Sequence, residues 1–245
     1  MLDNPAMQLG FFFVVATTIF TIMMWIIAAF AGIKIEKVGI LLSGYFDLFK
    51  VEINNITLIL SWLPIGSFIG MAGMLDLGED ETPPQPYDFR QKSFFTKFLI
   101  LFTSPILLAI IGISLLGLFS SINISNLLNA YIKTSCFIWS VSEGQPIWDS
   151  LLASPIVLMG FTFFFLGISN LLTNLGSLLS AKIEDRNWLT VFFSFSSLFF
   201  AIGIFRLTIA YFSILNIAYF LITAILTGVI AMVFCIFLAK ILPNN

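Results

Sequence analysis

Histidine is absent from this chain of 245 residues, cysteine occurs twice, and charged residues make up only 10%. Each shortage excludes something. Zinc sites in enzymes lean on imidazole or thiolate ligands, and neutral imidazole is the commonest metal ligand. An HExxH helix therefore cannot occur, and neither a metal nor another cofactor is expected. Cys136 and Cys235 are the only cysteines, and Cys235 lies inside an apolar run, so a disulfide framework is not expected. Soluble domains carry about 25% charged residues, so the scarcity of charge points to a membrane-embedded protein. The net charge of −2 leaves no basic surface to neutralise phosphates and argues against nucleic acid. The opening "MLDNPAMQLG" lacks the basic start of a cleavable signal peptide. No cluster of catalytic residues is visible, and no internal repeat or heptad.

What the chain does have is hydrophobicity: 59% of its residues, with 29 Phe. About 20 apolar residues are needed to cross the hydrocarbon core. Five runs free of Asp, Glu, Lys and Arg meet that length or come close, at 10–33, 98–119, 155–179, 188–205 and 212–239. The last is long enough to tilt, or to break near Asn216.

A sixth run, 53–75, carries Pro64, Gly66, Gly70 and Gly73, and it begins in "VEINNITLIL". The β-branched residues there, with turn-prone Asn54-Asn55, predict strands rather than a helix. Charge placement agrees. With 53–75 kept out of the spans, nine of the eleven basic residues share one face, and only Lys133 and Arg206 lie opposite. The positive-inside rule then predicts five spans, with the N-terminus outside and the C-terminus cytoplasmic. Backbone that dips into a membrane has to pair internally or be shielded by protein. A small re-entrant β region over residues 36–75 meets that demand. Residues 76–97, acidic and proline-rich, read as a cytoplasmic loop, and 120–154 as the main external loop, all within a single membrane domain, 1–245.

The polar residues have plain readings beside functional ones. Arg206 is either a snorkelling anchor at the interface or a partner for an acid on another chain. Asn170 and Asn174, one helical turn apart, and Asn216 either line a groove for a partner helix or hydrogen-bond between the chain's own helices. Asp76, Glu79, Asp80 and Glu81 either hold a cation or, the better fit beside Pro83-Pro84, belong to a flexible solvated loop, and the phenylalanine clusters fit lipid-facing filling.

One long stretch carries a resemblance. "GIKIEKVGILLSGYFDLFKVEINNITLILSWLPIGSFIGMAGMLD" is similar, in order and spacing, to the segment that follows the catalytic helix of bacterial site-2 proteases, intramembrane zinc metalloproteases. There a Gly-[Ile/Val]-Lys-Val-Glu exit leads into a re-entrant sheet that ends in Pro-Leu-Gly-Gly-Tyr-Val-Lys-Met. Here that last stretch is Pro64-Ile65-Gly66-Ser67-Phe68-Ile69-Gly70-Met71. Farther on, Ser104-Pro105 stands for the family's Gly-Pro, and Leu108 takes the place of its Asn. The match covers residues 20–118 well and 150–185 more weakly.

The resemblance places HExxH twelve residues before Gly32, on Phe20, Thr21, Ile22, Met23 and Met24. Phe20 and Met24 thus occupy the two histidine positions, and Thr21 that of the general-base glutamate. A catalytic zinc needs two imidazoles one turn apart and a carboxylate to take the water proton. The region of the third ligand, an aspartate in the family, has no Asp or Glu from 150 to 183. Residues 120–154 are too short for the family's PDZ domain.

The expectation is a polytopic α-helical membrane protein with a site-2-protease-like core of about five transmembrane helices and a small re-entrant β element. It is catalytically inactive, a pseudoprotease of a bacterial inner membrane, binding another integral membrane protein or transmembrane segment. The alternative is a structural or accessory subunit of a hetero-oligomeric secretion or transport complex. By the resemblance, the partner groove lies between Ile65, Ser67, Phe68 and Met71 on the sheet side and Asn170 and Asn174 on the helix side.

Overall fold

A computed structural model describes residues 4–74, 85–120, 125, 154–180 and 214–242. Its elements are α1 (Pro5–Phe30), β1 (Ile35–Ile53), β2 (Ile56–Met71), a 3-10 turn (Phe89–Gln91), α2 (Phe94–Phe119), α3 (Pro155–Ser180) and α4 (Ile214–Ile241). All four helices are long and apolar enough to cross a bilayer, which makes this a helical membrane protein by the length and composition of its helices. The expected span at 188–205, residues 76–84 of the expected 76–97 loop and nearly all of 120–154 lie outside the described residues.

The helix ends depart from the apolar runs because caps, not hydropathy, set them. α1 starts at Pro5 rather than near residue 10. Asn4 precedes it and accepts the Ala6 amide on its side-chain oxygen at 2.9 Å, and Pro at the first helical position has no amide to leave unpaired. α1 stops at Phe30 because Gly32 takes φ +65°, the left-handed conformation that glycine enters without strain. The Ile33 amide then reaches back to the Ala28 carbonyl and the Gly32 amide to Ala29, both at 3.0 Å. This is a Schellman cap, and it closes the helix three residues before the apolar run ends. α2 likewise begins at Phe94 instead of 98, because the Ser93 hydroxyl accepts the Thr96 amide at 3.2 Å.

The chain forms two compact units. The helical unit comprises 1–16 and 105–224, and the sheet unit 17–104 and 225–245. α1, α2 and α4 contribute residues to both.

Within the helical unit, small residues let helices touch at backbone distance. A methyl group added to Gly167 of α3 would sit 2.6 Å from the Ala109 amide nitrogen and 2.8 Å from the Pro105 carbonyl of α2. Gly112 of α2 lies equally close to the backbone of Gly160 and Phe164. Such crossings are how helices associate where water gives no hydrophobic drive. At the other end, Asn4 donates its amide to the Asn216 side chain at 2.9 Å, and Phe13 meets Phe220 edge-on. Asn216 thus bonds to the chain's own helix α1 and sits in the first turn of α4. Thr162, Thr173 and Thr223 return their hydroxyls to the carbonyl four residues back, so these polar groups are satisfied inside apolar helices.

In the sheet unit, β1 and β2 make one sheet. A two-residue turn joins them, Asn54-Asn55, both at positive φ (50° and 62°), as a type I′ hairpin requires. The antiparallel pairing is interrupted by repeated register shifts, and the partners explain them. Val38 faces Ile69 on one side and Leu58 on the other. Along 35–40 the first set of partners descends from Met71 to Ser67, so that ladder is antiparallel. The second set ascends from Thr57 to Leu60, so on that side the residues run parallel. The two long strands therefore bend into four lanes, in the order 47–53, 56–61, 35–40 and 67–71. The bend in β1 falls at Leu41, a fully buried residue forced to φ 63°. Burial follows lane position: Ile35, Val38, Ile40, Ile56, Leu58 and Leu60 are buried, whereas Asp47, Lys50 and Glu52 on the outer lane are exposed.

Gly112 and Gly117 separate contact from propensity within one helix. Gly112→Ala is expected to destabilise the protein by about 1–3 kcal/mol through backbone overlap with α3. Gly117→Ala, where no described residue lies within 4 Å, should stabilise it by a few tenths to about 1 kcal/mol through helix propensity. Thermal unfolding of the two variants in one detergent checks the opposite signs.

Candidate functional site

The resemblance puts the chemistry on the second half of α1, where every side chain is uncharged. Phe20 and Met24 are buried. Thr21 is 1% exposed, and its hydroxyl lies 2.5 Å from the Ser67 hydroxyl on β2. Ser67 also donates to the Thr17 carbonyl at 2.8 Å. A serine has one hydroxyl proton. Since Thr17 receives it, Thr21 is the donor of the shorter bond. The chain of donors runs from Thr21 through Ser67 to the α1 backbone, and it fastens the 67–71 lane to α1 halfway along that helix. A phenyl ring, a thioether and two hydroxyls offer no imidazole pair or carboxylate, and among the described residues no three His, Cys, Asp or Glu converge.

A second fastening ties the sheet to α4. Gly228, halfway along that helix, faces the side chains of Leu60 and Leu41, which an added methyl group would meet at 3.1 and 3.2 Å. At the hairpin tip Asn54 donates its amide to the Ala239 carbonyl at 2.9 Å, satisfying an acceptor in the last turn of α4. From Gly228 to Ala239 the helix rises roughly 17 Å. From Leu60 to Asn54 the strand covers roughly 20 Å. The hairpin therefore lies along the C-terminal half of α4, with its bend at mid-helix level.

A third fastening is a clasp formed by residues 85–92. Lys34 takes the Tyr87 carbonyl on its amide at 3.3 Å and gives its own carbonyl to Ala72 at 3.0 Å, and the Phe89 amide bonds the Ala72 carbonyl at 2.7 Å. Asp88 accepts the Gln85 amide at 2.8 Å and pairs with Arg90 at 3.5 Å. Gly73 is needed here: at φ +69° a side chain is strained, and its first carbon would fall 2.8 Å from Cβ of Asp88.

These fastenings leave one part of the sheet unfinished. Among the described residues, the register gives lane 67–71 a strand partner on one side only. Its side chains alternate: Ser67 and Ile69 share one face, Gly66, Phe68 and Gly70 the other. The Ser67 face meets α1. On the other face the Phe68 ring lies across Gly39 of the neighbouring lane, and no described residue approaches within 4 Å of the place a Gly66 side chain would take. The opposite outer lane differs in kind, since Asp47, Lys50 and Glu52 line it, and charge discourages pairing at a sheet edge.

The six groove residues divide between the two units. Ile65, Ser67, Phe68 and Met71 belong to β2; Ser67 is held by α1 and Met71 is buried. Asn170 and Asn174 belong to α3, where Asn170 returns its amide to the Leu166 carbonyl at 2.8 Å and Asn174 is buried. Sequence reasoning did not find the role of the Thr17 carbonyl or the Thr21–Ser67 bond. The only signal was Thr17-Thr18 and Thr21 in a helix whose one other polar residue is Gln8. Thr18, Trp25 and Ser104, in the same unit, carry buried polar atoms with no hydrogen-bond partner among the described residues.

The chain matches no protein-family model and no curated protein sequence. The functional reading therefore rests on the geometry and the sequence.

Ser67 both donates and accepts, whereas Thr21 donates to it, so the two substitutions differ in size. Ser67→Ala strands a buried hydroxyl and is expected to cost about 1–3 kcal/mol, with Thr21→Val costing less. The double variant should cost less than the two singles combined, by at least about 0.5 kcal/mol. Denaturant titration of all four proteins measures this coupling; strict additivity would show that the bond contributes nothing.

Proposed function

We propose that this chain is a catalytically inactive, site-2-protease-like membrane protein that binds another membrane protein through the open edge at 66–70. The observation that carries the reading is that edge. It is apolar, paired on one side only among the described residues, fastened to the middle of α1, and backed by a sheet that reaches the middle of α4. With α1 and α4 spanning the bilayer, their midpoints lie near its centre, so the sheet re-enters the membrane and its edge lies at depth. Unpaired backbone there costs several kcal/mol per group unless protein or a water-filled recess covers it. An extended partner segment satisfies the edge by adding a strand, with main-chain hydrogen bonds supplying affinity. The charged outer lane, by contrast, suits a water-filled recess open to the cytoplasm.

Orientation follows from charge. All the charged residues among those described fall in the sheet unit, seven basic and four acidic, and the helical unit has none. The positive-inside rule assigns the sheet unit's end to the cytoplasm, with the N-terminus outside. The resemblance to site-2 proteases supports the same arrangement: the parts that receive a segment are kept, while Phe20, Thr21 and Met24 stand where the parts that cut it belong.

Photo-crosslinkers distinguish this role from that of a relic. At Phe68, on the open face, a crosslinker should capture a second membrane polypeptide. At Phe237, exposed on α4, it should capture mainly lipid. Gly66→Arg should reduce capture at Phe68 several-fold while the protein stays in the membrane. Lipid alone at Phe68, with polypeptide captured from α4, would overturn the edge reading and favour an assembly subunit that docks by its outer helix surface.

A further inference from the structure

We infer that the sheet unit carries a binding site for an anionic glycerophospholipid, built from the clasp and the first turns of α2. The clasp holds cations in place. The Lys34 ammonium rides 5.5 Å from the centre of the Tyr87 ring. The Lys97 ammonium lies 5.8 Å from the centre of the Phe89 ring and donates to the Arg90 carbonyl at 2.8 Å. Aromatic faces attract cations, so both side chains are pre-ordered. Arg90 and Lys92 adjoin them in sequence. Asp88 is the one acidic residue from 85 to 104, and it is already engaged by the Gln85 amide and Arg90. The first turn of α2 contains no acid either. Lys97 thus stands in the first turn of α2, where the helix dipole is itself positive, with Arg90 and Lys92 just before it in sequence, an arrangement that costs free energy until an anion joins it.

What flanks the cations specifies the anion further. Phe94 and Phe95, in that same first turn, are 59% and 68% exposed. A free phosphate would meet the cations and leave both rings in water. A phospholipid satisfies both demands at once, with its phosphate on the basic side chains and its acyl chains against the rings. Basic residues beside interfacial aromatics are what a membrane surface rich in anionic lipid recognises. This site stands independently of the edge at 66–70.

Native mass spectrometry of the full-length protein in detergent tests it, with phosphatidylglycerol and phosphatidylcholine titrated separately. The first phosphatidylglycerol should bind at least about fivefold tighter than the first phosphatidylcholine, the effect of roughly one basic side chain near an anionic headgroup. Lys92→Gln should remove about fivefold of the phosphatidylglycerol affinity and leave phosphatidylcholine unchanged. Lys97→Gln should act in the same direction. Lys50→Gln, on the outer lane, should change neither. Equal affinity for the two lipids, or an equal loss from Lys50→Gln, overturns the site. Displacement of phosphatidylglycerol by millimolar glycerol 3-phosphate also overturns it, since the ligand would then be a free phosphate.

Discussion

Main-chain amides and carbonyls have to be paired wherever water is excluded, and this single requirement organises the structure. Helices meet it internally except at their ends, and several of the ends here are closed by specific groups. Asn4 and Ser93 cap the starts of α1 and α2, Gly32 closes the end of α1, and Asn54 reaches across to a carbonyl in the last turn of α4. A sheet cannot meet the requirement alone, because every open sheet has two edges. One edge of this sheet carries Asp47, Lys50 and Glu52, and the other carries Ser67, Phe68, Ile69 and Gly70. The first is built for water. The second is apolar, and the proposed partner completes it.

The same requirement explains why polar residues occur in apolar helices at all. Thr21 and Thr17 are not remnants without work: together with Ser67 they fix the height at which the lane meets α1. A few buried hydrogen bonds of about 1 kcal/mol each would not hold a sheet unaided. They act with the packing of Leu41 and Leu60 against Gly228, where a missing side chain lets helix and sheet approach closely. Packing supplies most of the attachment, and the hydroxyls set its register. In the proposed role that rigidity matters, because a strand edge held in position is pre-organised to receive an extended segment.

How much of this was legible in the sequence varies with the range of the interaction. Local signals read well. Asn54-Asn55 between β-branched runs predicted the hairpin turn, and the apolar runs at 10–33, 98–119, 155–179 and 212–239 each overlap most of a long helix. Helix boundaries read less well, since hydropathy does not register a cap. Gly32 and Ser93 each moved an end by three or four residues, although both are residue types that cap helices. Long-range features did not read at all. Nothing in the spacing of Val38, Leu58 and Ile69 announces that 35–40 is an interior lane with one parallel and one antiparallel neighbour. Nor does a serine in "PIGSFIGM" reveal a bond to a threonine 46 residues earlier. Asn216 shows the middle case: its candidate roles were readable, and only the fold shows that Asn4 is its partner.

The central claim is that the sheet edge lies deep in the bilayer, level with the middles of α1 and α4. Site-directed spin labelling in lipid vesicles measures that depth directly. Cys136 and Cys235 would be replaced, single labels placed at Gly66, and a ruler of labels set along the exposed face of α4 at Ile222, Ile230 and Phe237. Relative accessibility to oxygen and to a water-soluble nickel chelate then converts to depth. The account predicts that Gly66 matches the Ile230 level to within about one helical turn, roughly 5 Å, with oxygen access high and nickel access low. A Gly66 label as accessible to nickel as one at Lys50 on the charged outer lane would place the edge in water and contradict the account.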